Sequence, residues 1–290
     1  MTERVIEVGV VNAFVKNGAG GNPAGVVLDA DSLTEVAMQS LAAQVGYSET
    51  AFVSKHANGG FRLDFFTPNR RIADCGHATV AAFSHMAAKG LVTDGETVKH
   101  TVDGPRKIII RDGQAFMEQL APEYDEAVDT RAVLASLGLD AGHLMAGHAP
   151  LVVNTGNRFM LVAVQDAAVL AAIKPDQNKI EAISEAHDLI GYYVFTLDAE
   201  GADATARMFA PRYGIPEEAA TGMAAGPLAC LLHDQFGIAK ATFTIEQGRY
   251  MSAPSVSEIH VKLSFKADGK IAGLMAGGLG KPASVAEIRV

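Results

Sequence analysis

The most informative segment of the chain for its fold is Asp74-Cys75-Gly76-His77-Ala78-Thr79-Val80-Ala81-Ala82. It predicts a helix over residues 78–88, with Gly90 just beyond it as the expected stop signal. Because this helix is apolar on nearly every side, it must be buried all round. Many short strand-like runs accompany it, so the sequence predicts a sheet wrapped around a central helix.

The second half of the chain repeats this pattern, with residues 217–225 as the counterpart of the first Gly-rich segment. Pro68 and Pro211 precede the two segments, at an offset of 211 − 68 = 143. Asn22 and Asn157 open two strands, at an offset of 157 − 22 = 135. Both offsets are near half of the 290 residues, which favours a duplicated fold.

These elements predict an α+β fold of two pseudo-symmetric lobes, each a mixed sheet or open barrel around its own helix. The second central helix is expected over 223–236, and an amphipathic helix over 33–45 is expected on the outside. We assign residues 1–120 to the N-terminal lobe and 121–279 to the C-terminal lobe, with 120–139 as the link and 280–290 returning to the first lobe. Strands are predicted over 5–14, 51–53, 61–66, 107–110, 160–164, 191–196, 206–209 and 241–245.

The bulk properties exclude several classes of protein. The formal net charge is −9, and an acidic surface repels phosphate backbones, which argues against nucleic-acid binding. Residues 1–7 carry charges unlike a signal peptide, and no apolar run approaches the ~20 residues that span a bilayer. Cys75 and Cys230 allow one disulfide but not a secreted disulfide scaffold. We therefore expect a soluble, cytoplasmic protein.

Ser48-Glu49-Thr50 lies at the predicted junction between a helix and a strand. One interpretation is that Glu49 is a solvated loop residue. The other is a general acid/base in an apolar cleft, where desolvation disfavours the ionised carboxylate. The pKa of Glu49 would then move toward neutrality, where proton transfer is efficient in both directions.

The first central helix begins near Asp74, Cys75, Gly76 and His77. Unpaired backbone N–H groups and the helix dipole favour negative charge there, so this end is suited to a substrate carboxylate or an enolate oxygen. Gly76 permits close approach, and His77 is a hydrogen-bond donor. Two alternatives are an Asp74 N-cap with a small buried Cys75 beside it, and a zinc site of Cys75, His77 and Glu49. No second ligand pair with zinc-site spacing follows in the sequence.

Residues 217–222 are expected to form the opposite wall of the same cleft. Glu217 is explained as a partner of the helix dipole, and Glu218 is the better candidate for a site role. The chain has no Gly-x-Gly-x-x-Gly after its first strand, no P-loop and no Gly-x-Ser-x-Gly elbow. Dinucleotide, P-loop nucleotide and serine-hydrolase chemistry therefore lack support.

The ordered set of motifs resembles the PhzF family of phenazine-biosynthesis isomerases, which shares the diaminopimelate epimerase fold. The matching segments are Gly21-Asn22-Pro23-Ala24, Ser48-Glu49-Thr50, Phe66-Thr67-Pro68, Cys75-Gly76-His77-Ala78-Thr79, Ala219-Ala220-Thr221-Gly222 and Gly226-Pro227-Leu228. The resemblance implies an active site between the two lobes, no cofactor, a small and anionic substrate, and a homodimer.

The resemblance also assigns roles to individual residues. A Glu in the Ser-Glu-Thr motif moves the proton, which carries over to Glu49, and a His after Gly contacts substrate, which carries over to His77. Glu218 stands where the family has an Asp, and Met223 stands where a small polar residue is common. Both departures imply a reshaped pocket and argue against the phenazine precursor as substrate. The expected catalytic residues are Glu49, His77 and Cys75, and the expected substrate-binding residues are Ser48, Gly76, Asn22, Gly156, Glu218, Thr221, Gly222 and Met223.

Our main hypothesis is a cofactor-independent isomerase in which Glu49 moves a proton on a small carboxylate-bearing substrate. Epimerases of this fold use two cysteines as opposed acid and base. Cys75 matches the first position, while the second falls at Ala219, which has no ionisable group. The alternatives are an epimerase or racemase with Cys75 as second base, and a binding protein without turnover.

Overall fold

The structure is a computed structural model that describes residues 4–125 and 128–289. Residues 1–3 of the charged N-terminal segment, residues 126–127 of the predicted link and residue 290 lie outside the described residues. Within the described ranges, no helix is long and apolar enough to cross a membrane.

The strands are β1 Val5–Ala13, β2 Asn22–Val27, β3 Thr50–Lys55, β4 Phe61–Phe66, β5 Arg71–Ile72, β6 Gly95–Thr101, β7 Gly104–Arg111, β8 Gln114–Leu120, β9 Glu123–Asp125, β10 Leu151–Asn154, β11 Arg158–Ala163, β12 Gly191–Thr196, β13 Ala204–Ala210, β14 Ile215–Glu218, β15 Thr242–Gln247, β16 Ser257–Phe265, β17 Ile271–Leu279 and β18 Lys281–Arg289. The α-helices are α1 Glu35–Val45, α2 Gly76–Ala88, α3 Thr130–Ser136, α4 Ala167–Ala172, α5 Gln177–Ala186 and α6 Gly222–Asp234.

The chain divides into two compact units. The first contains the described residues up to Glu118 and those from Gly277 onward, and the second contains Gln119–Ala276. In the first unit, β18 pairs antiparallel with β1, with Val5 opposite Arg289. The last strand of the chain is therefore part of the sheet that the first strand begins.

Both units repeat one order of strand pairing. In the first, β1–β2 is antiparallel, β2–β3 parallel and β3–β4 antiparallel; β4 then pairs antiparallel with β5 and parallel with β6, and β6–β7 is antiparallel. In the second, β10–β11 is antiparallel, β11–β12 parallel and β12–β13 antiparallel. Strand β13 then pairs antiparallel with β14 and parallel with β15, and β15–β16 is antiparallel. This shared order confirms the predicted duplication of a mixed sheet.

The central helix of the first unit is α2. Residues 76–86 are all buried, and the helix contacts β1, β2, β3 and β18. Gly280 permits the close approach of the chain just before β18, because a Cβ there would lie 2.6 Å from Ser84 Oγ. The Gly280 N–H instead donates to that hydroxyl at 3.0 Å. The predicted central helix is confirmed, and it begins two residues earlier than predicted because the Gly76–His77 turn is itself helical.

The central helix of the second unit is α6, which contacts β10, β11 and β16. Its residues from 222 to 232 are buried except Met223. A Cβ on Gly226 would lie 2.3 Å from Gln119 Oε1 and 2.8 Å from Leu274 Cδ1, so the glycine lets both side chains pack closely against the helix. The small residues that the sequence places in this helix therefore let neighbouring chain pack closely on it.

The outer helix of the first unit is α1. It buries Met38, Leu41 and Ala42 against the sheet, while Val36 is 80% exposed, as the amphipathic pattern predicts. Gly46 ends the helix with φ 73°, a left-handed conformation that glycine adopts at low cost. This ending turns the chain back toward β3 through Ser48 and Glu49.

Candidate active site

Glu49 lies just before β3 and is only 4% exposed. Its carbonyl oxygen accepts a hydrogen bond from the Gly25 N–H at 3.0 Å, where β2 and β3 begin their parallel pairing. A Cβ on Gly25 would lie 2.7 Å from Thr50 Oγ1, so glycine lets the two strands approach. The interpretation of Glu49 as a solvated loop residue is wrong, because the parallel pairing holds it inside the unit.

His77 occupies the first turn of α2 and is 3% exposed. Its Nε2 lies 3.1 Å from Glu49 Oε2, and its Nδ1 lies 3.5 Å from Cys75 Sγ. The imidazole therefore stands between a carboxylate and a thiol, with one ring nitrogen facing each. The structure brings together all three residues that the sequence proposed as catalytic.

The ionisation of Glu49 differs from the sequence-based expectation. Burial by itself raises the pKa of Glu49, but the charge of His77 and hydrogen bonds from His77 and Ser48 outweigh it. The pKa of Glu49 therefore lies below its ordinary value of 4.5. The expectation of a raised pKa is wrong because it considered desolvation without the partner that the fold places beside the carboxylate.

Cys75 is the N-cap residue of α2, and its side chain makes no capping hydrogen bond. The predicted Asp74 N-cap is displaced by one residue. Asp74 Oδ1 accepts a hydrogen bond from the Cys75 N–H at 2.7 Å and also contacts Lys99. Cys75 and Cys230 are both free thiols, so the disulfide that the sequence allows is not formed. Burial and the charge of Asp234 raise the pKa of the Cys230 thiol to about 12.

A metal ion is the other species that this trio is able to hold. One ligand atom from each of Glu49, Cys75 and His77 lies within 4.8 Å of the other two, and zinc accepts all three ligand types. However, the thiol and the carboxylate face different nitrogens of one imidazole. That arrangement suits proton transfer along the line of the three groups better than binding of all three to one ion.

A second polar cluster lies in the second unit, at the turn between β14 and α6. Glu218 is 8% exposed, and its Oε2 accepts a hydrogen bond from Thr221 Oγ1 at 2.6 Å. Gln247 Nε2 donates to the Glu218 carbonyl at 2.7 Å and to Thr221 Oγ1 at 3.2 Å. The structure thus joins two of the predicted substrate-binding residues through a side chain that the sequence did not single out.

Gln247 organises this turn from the end of β15. Its Oε1 accepts hydrogen bonds from the Thr221 N–H at 3.0 Å and from the Tyr193 hydroxyl at 2.9 Å. Burial, together with the charge of Glu218, raises the pKa of Tyr193, so its hydroxyl stays a neutral donor. The amide of Gln247 has both its oxygen and its nitrogen bonded, which fixes the backbone at the start of α6.

The other predicted residues of the second unit lie near the same helix end. The Gly222 carbonyl accepts a hydrogen bond from Gln119 Nε2 at 2.9 Å. Met223 Sδ lies 3.2 Å from Asn157 Nδ2. Gly156, next to Asn157, has φ 107° and donates its N–H to a neighbouring asparagine side chain. Asn157 thereby links the Gly156 loop to the first turn of α6.

The remaining predicted residues belong to the first unit. Asn22 is 5% exposed and begins β2, opposite Ala13. Ser48 precedes Glu49, and its side chain helps to lower the pKa of the Glu49 carboxyl. Gly76 is the first helical residue after Cys75. Glu217, in contrast, forms a two-point ion pair with the buried Arg207 at 2.8 and 2.9 Å. Glu217 therefore has a structural role, as predicted, but its partner is Arg207 and not the helix dipole that the sequence suggested.

Sequence reasoning missed three buried polar residues of these clusters, Lys99, Tyr193 and Gln247. Lys99 lies within a polar strand segment, where a lysine ordinarily points to solvent. Tyr193 and Gln247 end up beside Thr221 because β12, β13 and β15 are neighbours in the sheet. Only strand pairing brings these positions together, so no local pattern identifies them.

A family model described as phenazine biosynthesis-like protein, PhzC-PhzF, matches residues 11–278. The chain belongs to this family. A trans-2,3-dihydro-3-hydroxyanthranilate isomerase of Pseudomonas aeruginosa is 33% identical to it over 230 residues, which cover 76% of this chain and 77% of the relative. As a member of the PhzC-PhzF family, the chain is an isomerase.

Solved structures agree with this assignment. A PhzF-family protein of Bacillus anthracis superposes with a TM-score of 0.90 at 25% identity, covering 99% of this chain and 100% of the other. A protein described as a predicted epimerase of Pseudomonas aeruginosa superposes with a TM-score of 0.78 at 25% identity, covering 98% of this chain and 99% of the other. The predicted family and its epimerase-like fold class are confirmed.

Proposed function

We propose that this PhzC-PhzF family member isomerises a small, carboxylate-bearing substrate by moving one proton, with Glu49 as the general acid/base. The observation that carries the proposal is the buried contact of Glu49 with His77, 3.1 Å between Oε2 and Nε2. Because the pKa of Glu49 is lowered, its carboxylate is ionised at neutral pH and able to accept a proton.

The proposed reaction has two proton transfers and needs no other reactant. Glu49 takes a proton from a carbon next to a carbonyl, carboxyl or alkene group, and the C–H electron pair delocalises into that group. The N–H groups at the start of α2 stabilise the negative charge, and His77 holds the Glu49 carboxylate in position. The protonated Glu49 then returns the proton to a different carbon, so the product is an isomer of the substrate.

The substrate class follows from the family and from the site chemistry. The Pseudomonas aeruginosa relative is named for trans-2,3-dihydro-3-hydroxyanthranilate, so this compound is the first to test. Glu218 and Met223 are the positions at which we expect this chain to select a different carboxylic acid. The proposed contacts to substrate are Ser48, Gly76, Asn22, Gly156, Glu218, Thr221, Gly222 and Met223.

The proposed setting is a cytoplasmic homodimer that works without a cofactor and binds no nucleic acid. The dimer and the lack of a cofactor are supported by the family resemblance, which is an argument from fold-level analogy. The net charge of −9 supports the expectation about nucleic acid. Size-exclusion chromatography with light scattering measures the oligomeric state directly.

Solvent hydrogen exchange tests the proposal. The protein is incubated in D₂O with trans-2,3-dihydro-3-hydroxyanthranilate and with a panel of cyclic and open-chain carboxylic acids, and deuterium at carbon is followed by NMR. We expect incorporation with the wild type and loss of it in Glu49→Gln. Glu96→Gln is the matched control, because the Glu96 side chain is 65% exposed on β6. Turnover by Glu49→Gln at the wild-type rate would overturn the assignment.

An epimerase or racemase is the second candidate, favoured by the contact of Cys75 Sγ with His77 Nδ1 at 3.5 Å. A second base on the opposite side of the carbon would invert its configuration, whereas an isomerase moves the double bond or the hydrogen. Chiral analysis of the product separates the two reactions. An inverted product with unchanged connectivity would favour the epimerase.

A further inference from the structure

Lys99 lies in β6 with its side chain fully buried. Burying an ammonium group costs several kcal/mol unless charges and hydrogen bonds compensate it. A well-packed apolar residue in place of a buried ion pair is often as stable or more stable. Stability alone therefore gives no reason for a lysine at this position, and its contacts indicate what else it does.

Four groups surround the Lys99 ammonium. Its Nζ lies 2.5 Å from Asp74 Oδ1, 3.0 Å from Met117 Sδ and 3.2 Å from Thr79 Oγ1. It also lies over the Phe65 ring, 5.6 Å from the ring centroid. The face of an aromatic ring attracts a cation electrostatically. The three ammonium hydrogens thus have three acceptors, so Lys99 is held in one position.

Two of these partners hold the backbone of Cys75 from both sides. Asp74 Oδ1, the atom bound by Lys99, accepts the Cys75 N–H at 2.7 Å. Thr79 Oγ1, also bound by Lys99, donates to the Cys75 carbonyl at 2.7 Å. Asp74 and Thr79 therefore fix the N–H and the C=O of Cys75, and both of them are bound by the Lys99 ammonium.

We propose that Lys99 is a positioning residue for the proton transfer, holding Cys75 and, through the first turn of α2, the His77 ring against Glu49. Lys99 acts through Asp74 and Thr79. The inference rests on the proposed function of Glu49 and His77. According to this proposal, Lys99 contributes to the rate of proton transfer independently of its contribution to folding stability.

Two variants separate these parts. Lys99→Met removes the ammonium and leaves the Asp74 carboxylate without it. The double variant Lys99→Met/Asp74→Asn removes both charges, while the Asn side-chain oxygen keeps an acceptor beside the Cys75 N–H. Lys107→Met is the matched control, because that lysine lies on the neighbouring strand β7 with 45% of its side chain exposed.

Three quantities are measured for each variant: the thermal midpoint, kcat and KM in the exchange assay, and the hydrogen–deuterium exchange of the Cys75 amide. We expect Lys99→Met to lower the midpoint and to lower kcat at least tenfold with KM changed less than threefold. We expect the double variant to recover most of the thermal midpoint that Lys99→Met loses. Its kcat should nevertheless stay low, and its Cys75 amide should exchange at least tenfold faster than in the wild type. Lys107→Met is expected to match the wild type in all three.

A double variant that regains both midpoint and kcat would show that Lys99 only compensates the charge of Asp74, and would overturn the proposal. Wild-type kcat and Cys75 amide exchange in Lys99→Met would overturn it as well. The amide measurement needs no substrate, so it tests the fixing of Cys75 even if no substrate turns over. Failure of the proposed function would be recognised separately, because the wild type and Glu49→Gln would then incorporate deuterium into substrate carbon at the same rate.

Discussion

Glu49 Oε2 and His77 Nε2 lie 3.1 Å apart, and each residue exposes less than a twentieth of its surface. Two separate elements of the first unit supply the two groups: Glu49 leads into β3, and His77 lies in the first turn of α2. Each compensates the burial of the other, which is why the carboxylate stays ionised inside the unit. A buried, ionised carboxylate in contact with an imidazole is suited to the proton transfer that we propose for Glu49.

Removal of the carboxylate is expected to remove the chemistry while preserving the fold. Glu49→Gln keeps the size of the side chain and a hydrogen-bonding group, but it has no site for a proton. We expect the exchange rate to fall by ~10²–10⁴-fold, the usual contribution of one general acid/base. Rates from NMR in D₂O, with circular dichroism as a check on folding, measure this. A fall of less than threefold would contradict the assignment.

Acidification is expected to weaken the wild type more than Glu49→Gln. The pKa of Glu49 is lower in the folded protein than its ordinary value of 4.5. Its contribution to stability is therefore fully present above pH 4.5 and is lost as the pH falls through the lower folded pKa. The difference in free energy of unfolding between wild type and Glu49→Gln should thus shrink on going from pH 7 toward pH 3. Urea unfolding at several pH values measures it, and a constant difference would contradict the lowered pKa.

Substitution of Cys75 distinguishes the two candidate reactions. If Glu49 is the base that moves the proton, Cys75→Ala should lower the exchange rate by less than about tenfold, since the carboxylate and imidazole remain. If Cys75 is the second base of an epimerase, the same change should cost ~10²–10⁴-fold. The substitution removes a thiol that is only 5% exposed, so the unfolding midpoint is measured in parallel.

Gln247 is expected to be a large contributor to the stability of the second unit. Gln247→Leu leaves the Thr221 N–H and the Tyr193 hydroxyl without their acceptor inside the protein. The cost should be about 2–3 kcal/mol, because unpaired buried polar groups lose their hydration without replacement. Tyr193→Phe, which removes a single hydroxyl, is the milder comparison, at about 1 kcal/mol. Equal costs for the two substitutions in urea unfolding would contradict this.

Glu217 and Glu218 are expected to behave differently although they are adjacent. Glu217→Gln weakens the two-point ion pair with buried Arg207, so it should lower stability by about 1–3 kcal/mol and leave kcat nearly unchanged. Glu218→Gln keeps an acceptor for Thr221 but loses the charge, and we expect a changed KM with a smaller effect on stability. Kinetics and urea unfolding of both variants are compared. The reverse pattern would show that Glu217 belongs to the site.

The repeated architecture can be read from the residues alone, because apolar periodicity and runs of small residues are visible in short stretches of the chain. An all-apolar helix such as α2 must be buried wherever it is placed, and glycines after the helices specify their ends. The Ser48-Glu49-Thr50 and Cys75-Gly76-His77 motifs could likewise be read directly, and they identified the residues that the fold assembles.

The electrostatics of the site depend on contacts that form only when the chain is folded. The sequence left open whether Glu49 is solvated or buried in a cleft. The direction of its pKa shift depends on the contact with His77, which strands β3, β4 and β5 separate from it along the chain. The positions of Lys99 and Gln247 depend in the same way on strand pairing over long separations. Because interactions between charges vary with distance and with burial, no pattern of residue types along the chain contains them.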